Sequence, residues 1–125
     1  MGALDDARSH LIKAEEFLAA ASANLTAERF NAATSDAVVS GINSKDAICL
    51  KLTGRTAKTD NHHSAVAELK GSGREGADLA PTLDRLLKLK TRSQYQTISV
   101  ARSDAENATR WAEKLEVEAR RIIGA

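Results

Sequence analysis

Phe30-Asn-Ala-Ala-Thr-Ser-Asp-Ala-Val-Val-Ser-Gly-Ile-Asn-Ser-Lys-Asp-Ala-Ile-Cys-Leu50 is the stretch that decides the fold of this chain. It holds no proline, and its apolar residues recur at helical spacing. Two faces are traced on it. Ala33, Ala37, Gly41 and Ser44 form a face of small residues, and Phe30, Val38, Ile42 and Cys49 form a bulkier one. A helix that is apolar on two sides packs at the centre of a bundle, and small residues let a neighbour come close. The spacing predicts a helix from Thr26 to about Leu52, about 40 Å long at 1.5 Å per residue. Leu25 and Phe30 have the spacing of a hydrophobic staple at its start. Thr53 and Gly54 end it, glycine being suited to the left-handed position past a helix C-terminus.

On the N-terminal side, Leu4, Ala7, Leu11, Ala14, Leu18 and Ala21 alternate spacings of three and four, with Phe17 beside them. That stripe predicts a first helix over about 3–23. On the C-terminal side, Thr59 or Asp60 is placed to cap a short third helix carrying Ala65, Val66 and Leu69. Residues 71–76, Gly-Ser-Gly-Arg-Glu-Gly, read as a flexible loop. A fourth helix is expected from near Asp78, with Pro81 in its first turn, where a missing N–H costs nothing. Residues 91–98 read as a connection. Ser99 is placed to cap a last helix, striped by Ala101, Ala105, Ala108, Ala112, Leu115, Ala119 and Ile122 and broadened by Trp111. The expectation is an all-α antiparallel bundle of about five helices, one domain over residues 1–125.

Composition narrows the function. The 125 residues are 42% hydrophobic and 28% charged but only 3% aromatic, so the core is aliphatic and broad base stacking is disfavoured. A net charge of +1 argues against gripping duplex DNA by counterion release. The lone Cys49 excludes an internal disulfide and reads as a buried, inert thiol. No stretch is long and apolar enough to span a bilayer, so a cytoplasmic location and no membrane partner are expected.

Most candidate chemistry has a plain reading. Gly71, Gly73 and Gly76 match G-x-G-x-x-G in letters, but the dinucleotide fingerprint needs a preceding strand. His62 and His63 are adjacent, and neighbours on a helix point about 100° apart, so neither a metal nor a cofactor is expected there. His10 reads as a surface histidine. Arg85, Lys88, Lys90 and Arg92 complement a helix C-terminus or, alternatively, face the phosphates of a single strand. Tyr95 is able to reach a site.

Arg55 and His62 remain, in the segment Leu52-Thr-Gly-Arg-Thr-Ala-Lys-Thr-Asp-Asn-His-His63. A permanent cation and an imidazole that titrates near neutrality are the groups needed to hold a phosphodiester and move its protons.

The order of the long second helix, the Gly-Arg…His-His-Ser-Ala-Val turn and Arg92-Ser-Gln-Tyr95 before the last helix resembles the HEPN domain family. The resemblance covers nearly the whole chain. It implies a helical bundle and, in active members, a metal-independent RNA endonuclease with an Arg followed after four to six residues by a His. Arg55 and His62 fit the longest form. By resemblance, His62 acts as general base or acid and Arg55 holds the scissile phosphate, leaving a cyclic phosphate. Asp60 or Asn61 would orient the imidazole, and His63 would replace His62 only with a stretched spacing. The resemblance further implies a homodimer with the Arg-His pairs facing each other, RNA or a nucleotide as ligand, and a toxin or phage-defence role. Thr56 stands where active members often place Asn, Asp or His. Ser64 stands where a subclass paired with a nucleotidyltransferase antitoxin often has Tyr. The alternative is therefore a non-catalytic module that binds a nucleotide or a nucleotidyltransferase partner.

Overall fold

Alanine-rich segments bury well only where backbones approach closely, and the second helix provides such a surface. The computed structural model describes residues 2–59, 61–95 and 99–124, the side chains of 91–95 excluded. Five helices follow in order: α1 (Ala3–Thr26), α2 (Phe30–Thr53), α3 (His62–Lys70), α4 (Arg74–Tyr95) and α5 (Arg102–Ile123). The described residues contain no strand, and the architecture is an all-α bundle.

Helix α2 is the centre and packs on all four others. Ala33, Ala37, Gly41 and Ser44 are all buried, as are Val38 and Cys49. A Cβ on Gly41 would overlap Leu86 Cδ2, so the small face brings α4 against α2. Leu83, Leu86 and Leu87 of α4 and Leu115 of α5 fill the main core with Leu11, Ile48 and Leu69. Burial pushes the Cys49 thiol up to about 12, so it is an inert packing residue.

Several boundaries differ from expectation. Helix α1 continues to Thr26, and the break falls at residues 27–29. The Arg29 N–H donates to the Asn24 carbonyl and the Glu28 N–H to that of Leu25, with Glu28 left-handed at φ 61°. This is a Schellman ending built without glycine. Leu25 and Phe30 both pack against a small cluster of Ala33, Val100 and Ala105.

Helix α4 begins at Arg74, so Pro81 lies inside it and the expected flexible loop shrinks to residues 71–73. Gly76 lies within the first turn of α4, and the close approach of the end of α3 requires glycine there: a Cβ would overlap Ser72 Oγ and the Leu69 carbonyl. The expected connection over 91–98 is helical as far as Tyr95. Helix α5 starts at Arg102 with Ala101 rather than Ser99 at the cap, and Asn31 Oδ1 accepts from the Val100 N–H at 2.8 Å.

Candidate functional site

The turn between α2 and α3 carries Arg55, and its rigidity comes from charges buried beneath it. Lys45 is fully buried and Asp46 nearly so, both on α2. Lys45 Nζ donates to Asp46 Oδ1 at 2.7 Å and to Glu68 Oε1 of α3 at 2.5 Å. Thr56 Oγ1 donates to Asp46 Oδ1 at 2.5 Å, lies 3.0 Å from Glu68 Oε1, and accepts from Lys45 Nζ at 3.2 Å. Glu68 Oε2 accepts the Ala57 N–H at 2.8 Å. Buried charges persist where each is paired and hydrogen-bonded, and here the pairing ties α2, the turn and α3 into one unit.

The protonation states follow. Burial alone would lower the Lys45 pKa, but hydrogen bonds to Asp46 and Glu68 outweigh it and raise it above an ordinary lysine. Burial alone would raise the Glu68 carboxyl, but the bonds from Lys45 and the Ala57 N–H hold it below its ordinary value.

Within this frame, Arg55 follows Gly54, which caps α2 at φ 80°. The Arg55 backbone is held by Thr53 Oγ1, while its exposed guanidinium has no hydrogen bond or ion pair among the described residues. His62 opens α3. Its Nε2 lies 2.7 Å from Asp84 Oδ1 of α4, and Lys88 Nζ lies 3.1 Å from Asp84 Oδ2. The His62 hydrogen bond, with that from Lys88, holds the Asp84 carboxyl below its ordinary value. The carboxylate only accepts, so His62 Nε2 carries the proton, and Nδ1 has no partner among the described residues. Beside this pair, Val66, Lys70, Ala77, Ala80, Pro81 and Asp84 line a groove of about 280 Å³ between α3 and α4.

His62 and Arg55 make no hydrogen bond to each other within one chain. Asn61 is the N-cap of α3, its Oδ1 accepting the Ser64 N–H at 3.0 Å, in place of the expected Thr59 or Asp60. Its side chain is thereby engaged in capping rather than in orienting the imidazole. The His63 ring stacks on that of His62, with centroids 5.5 Å apart, despite the divergence expected of helical neighbours. Asp60 lies outside the described residues, as do the side chains of Arg92 and Tyr95. His10, expected at the surface, is largely covered: its side chain is 13% exposed and its Nδ1 lies 2.8 Å from Asn43 Oδ1.

Asp84, the group that engages His62, was missed in the sequence because only the crossing of α3 and α4 brings it there. Among the described residues no three His, Cys, Asp or Glu side chains are grouped to hold a metal ion. No helix among them is long and apolar enough to cross a membrane.

The family model described as the HEPN domain matches residues 7–122. The chain belongs to the HEPN family. A search among curated proteins found no match. The HEPN match runs from α1 into the last turn of α5, so it takes in the α2–α3 turn and both helices that hold the His62–Asp84 pair.

Proposed function

We propose that this HEPN protein is a metal-independent RNA endonuclease in which Arg55 binds the scissile phosphate and His62 moves the proton. The observation that carries this reading is the state of the two groups. An exposed guanidinium with no partner among the described residues sits on a turn locked from below, and an imidazole beside that turn has one nitrogen fixed by a carboxylate. A positioned base with its tautomer set by a carboxylate is the arrangement that general-base chemistry needs.

In the reaction, His62 Nδ1 takes the proton of a ribose 2′-hydroxyl. The 2′-oxygen bonds to phosphorus while the bond to the 5′-oxygen breaks. The products are a 2′,3′-cyclic phosphate and a 5′-hydroxyl, the leaving oxygen receiving a proton from the His62 of a second copy. Arg55 stabilises the charge that builds on the phosphoryl oxygens. The groove between α3 and α4 receives the adjoining nucleoside. The two Arg-His pairs face each other across a homodimer, and the activity serves as a toxin or defence nuclease restrained by a partner such as a nucleotidyltransferase.

One observation favours the non-catalytic alternative. The Thr56 hydroxyl, directly after Arg55, is spent on Asp46 and Glu68 and unavailable to a substrate. Cleavage of single-stranded RNA in the presence of EDTA separates the two readings. Arg55→Ala and His62→Ala each abolish cleavage while keeping the helical circular-dichroism signal and melting temperature. Undiminished cleavage by purified His62→Ala protein removes the nuclease reading in favour of a binding module.

A further inference from the structure

On the other side of the α2–α3 turn, Lys58 meets helix α1. Asp6, Ser9, His10, Lys13 and Lys58 line a cleft of about 220 Å³ there. Two lysines against one carboxylate leave it net positive, and neither lysine has an ion-pair or hydrogen-bond partner for its side chain among the described residues. Asp6 lines the same cleft yet pairs with neither.

Two further features show that the cleft is held in shape. Lys58 adopts φ 52°, a left-handed conformation that disfavours a side chain with a Cβ. Its backbone N–H lies 3.4 Å from Thr56 Oγ1, so the buried network beneath Arg55 also fixes Lys58. Strained backbone that the surroundings impose is concentrated at ligand clamps. His10 is anchored as well. Asn43 Nδ2 donates to the Val39 carbonyl, which turns Asn43 Oδ1 toward His10 Nδ1 and leaves Nε2 as the ring nitrogen with no protein partner. A serine hydroxyl and two ammonium groups make up a donor set for a phosphate.

We propose that this cleft is a second phosphate subsite, which holds a backbone phosphate of single-stranded RNA flanking the one at Arg55. Lys58 follows Arg55 by three residues on one turn, so their Cα atoms lie within about 10 Å of each other. One strand passing over the turn therefore meets both cations. The assignment to RNA rests on the nuclease reading, whereas the anion chemistry of the cleft stands apart from it.

The test uses a 2′-O-methyl oligoribonucleotide, which cannot be cleaved, with binding to the wild-type protein followed by fluorescence anisotropy across a salt series. Lys13→Ala/Lys58→Ala weakens binding about tenfold. It also lowers the slope of log K against log salt by about 0.7, the value for the one phosphate that the cleft holds. Asp6→Asn, which removes the opposing charge, tightens binding. Lys58→Gly serves as the folding control, because glycine accepts the left-handed backbone. Unchanged affinity and slope in the double variant overturn the proposal. Loss of binding to a mononucleotide with RNA binding intact also overturns it, since the phosphate would then come from a free ligand. A protein that binds the oligonucleotide through Lys13 and Lys58 but cleaves no RNA supports the subsite and removes the nuclease reading alone.

Discussion

His62 Nε2 and Asp84 Oδ1 lie 2.7 Å apart, bringing together residues 22 positions apart from two different helices. The Asp84 carboxyl is held below its ordinary 3.8 first by the hydrogen bond from His62 and then by Lys88. A carboxyl with a depressed pKa contributes stability above its unfolded value, and that contribution fades as pH falls through the lowered one. Replacing His62 with alanine removes the larger cause, so the Asp84 titration moves up toward 3.8, as followed by carboxyl carbon chemical shifts. An unmoved titration would show that the pair is not formed in solution. On the nuclease reading, Asp84→Asn lowers kcat for RNA cleavage by about ten- to hundredfold, because it disturbs the tautomer of His62. Asp84→Glu recovers part of the loss.

The buried cluster beneath Arg55 makes a different prediction. Lys45→Met leaves Asp46 and Glu68 without their cation and costs about 3–5 kcal/mol of stability. The pH signs differ for the two partners. Glu68 titrates below its ordinary 4.5, so its contribution is present above that pH and disappears as pH falls through the lowered value. Lys45 titrates above 10.5, so its contribution is present below that pH and is lost on the far alkaline side. Urea midpoints measured from pH 6 downward should therefore fall below about pH 4.5. In Glu68→Gln that acid slope is shallower. An identical acid limb in both proteins would place the acid-sensitive group elsewhere.

Gly76 is the tightest point of the α3–α4 crossing. A methyl group there meets Ser72 Oγ, which donates to the Leu69 carbonyl at 2.7 Å, and that carbonyl itself. The backbone oxygen is less able to yield than a side-chain tip, so Gly76→Ala separates the two helices. The expected loss is about 1–3 kcal/mol in thermal or urea unfolding. Because the same crossing sets Asp84 against His62, RNA cleavage on the proposed nuclease reading falls with it. A Gly76→Ala protein as stable as wild type would mean that the crossing is looser than this packing implies.

The fold was legible where periodicity was strong. The central alanines of the α1 and α5 stripes and the small-residue face of α2 are buried, whereas Leu4 and Ala101 stay exposed and Phe30 and Ile42 are half-buried; Gly54 is the left-handed cap that its position implied. Boundaries were missed where local chemistry departed from habit: Glu28 fills a place that glycine usually marks, and Gly76 sits in the first turn of a helix, where a close approach requires glycine. The candidate site was legible only in part. Arg55 and His62 stand out as residue types, but no local pattern singles out Asp84, Lys45 or Glu68. Their roles arise from helix crossings, which no local pattern encodes.

Glu28 supplies the last prediction. It holds φ 61° at the end of α1, where a Cβ crowds the neighbouring carbonyl at a cost of about 1 kcal/mol. It gains an ion pair to Arg102, whose guanidinium also stacks 4.9 Å over the Phe30 ring. Both charged side chains are more than half exposed, so the pair is worth less than about 1 kcal/mol and is screened by salt. Relief of backbone strain and loss of the pair therefore oppose each other, and salt decides the balance. Glu28→Gly is close to neutral at low ionic strength and stabilising by about 0.5–1 kcal/mol in 1 M NaCl, where the Debye length is about 3 Å. Thermal melts of both proteins at the two salt concentrations measure it. Destabilisation by Glu28→Gly that persists in high salt would show that Glu28 holds the turn by something other than charge.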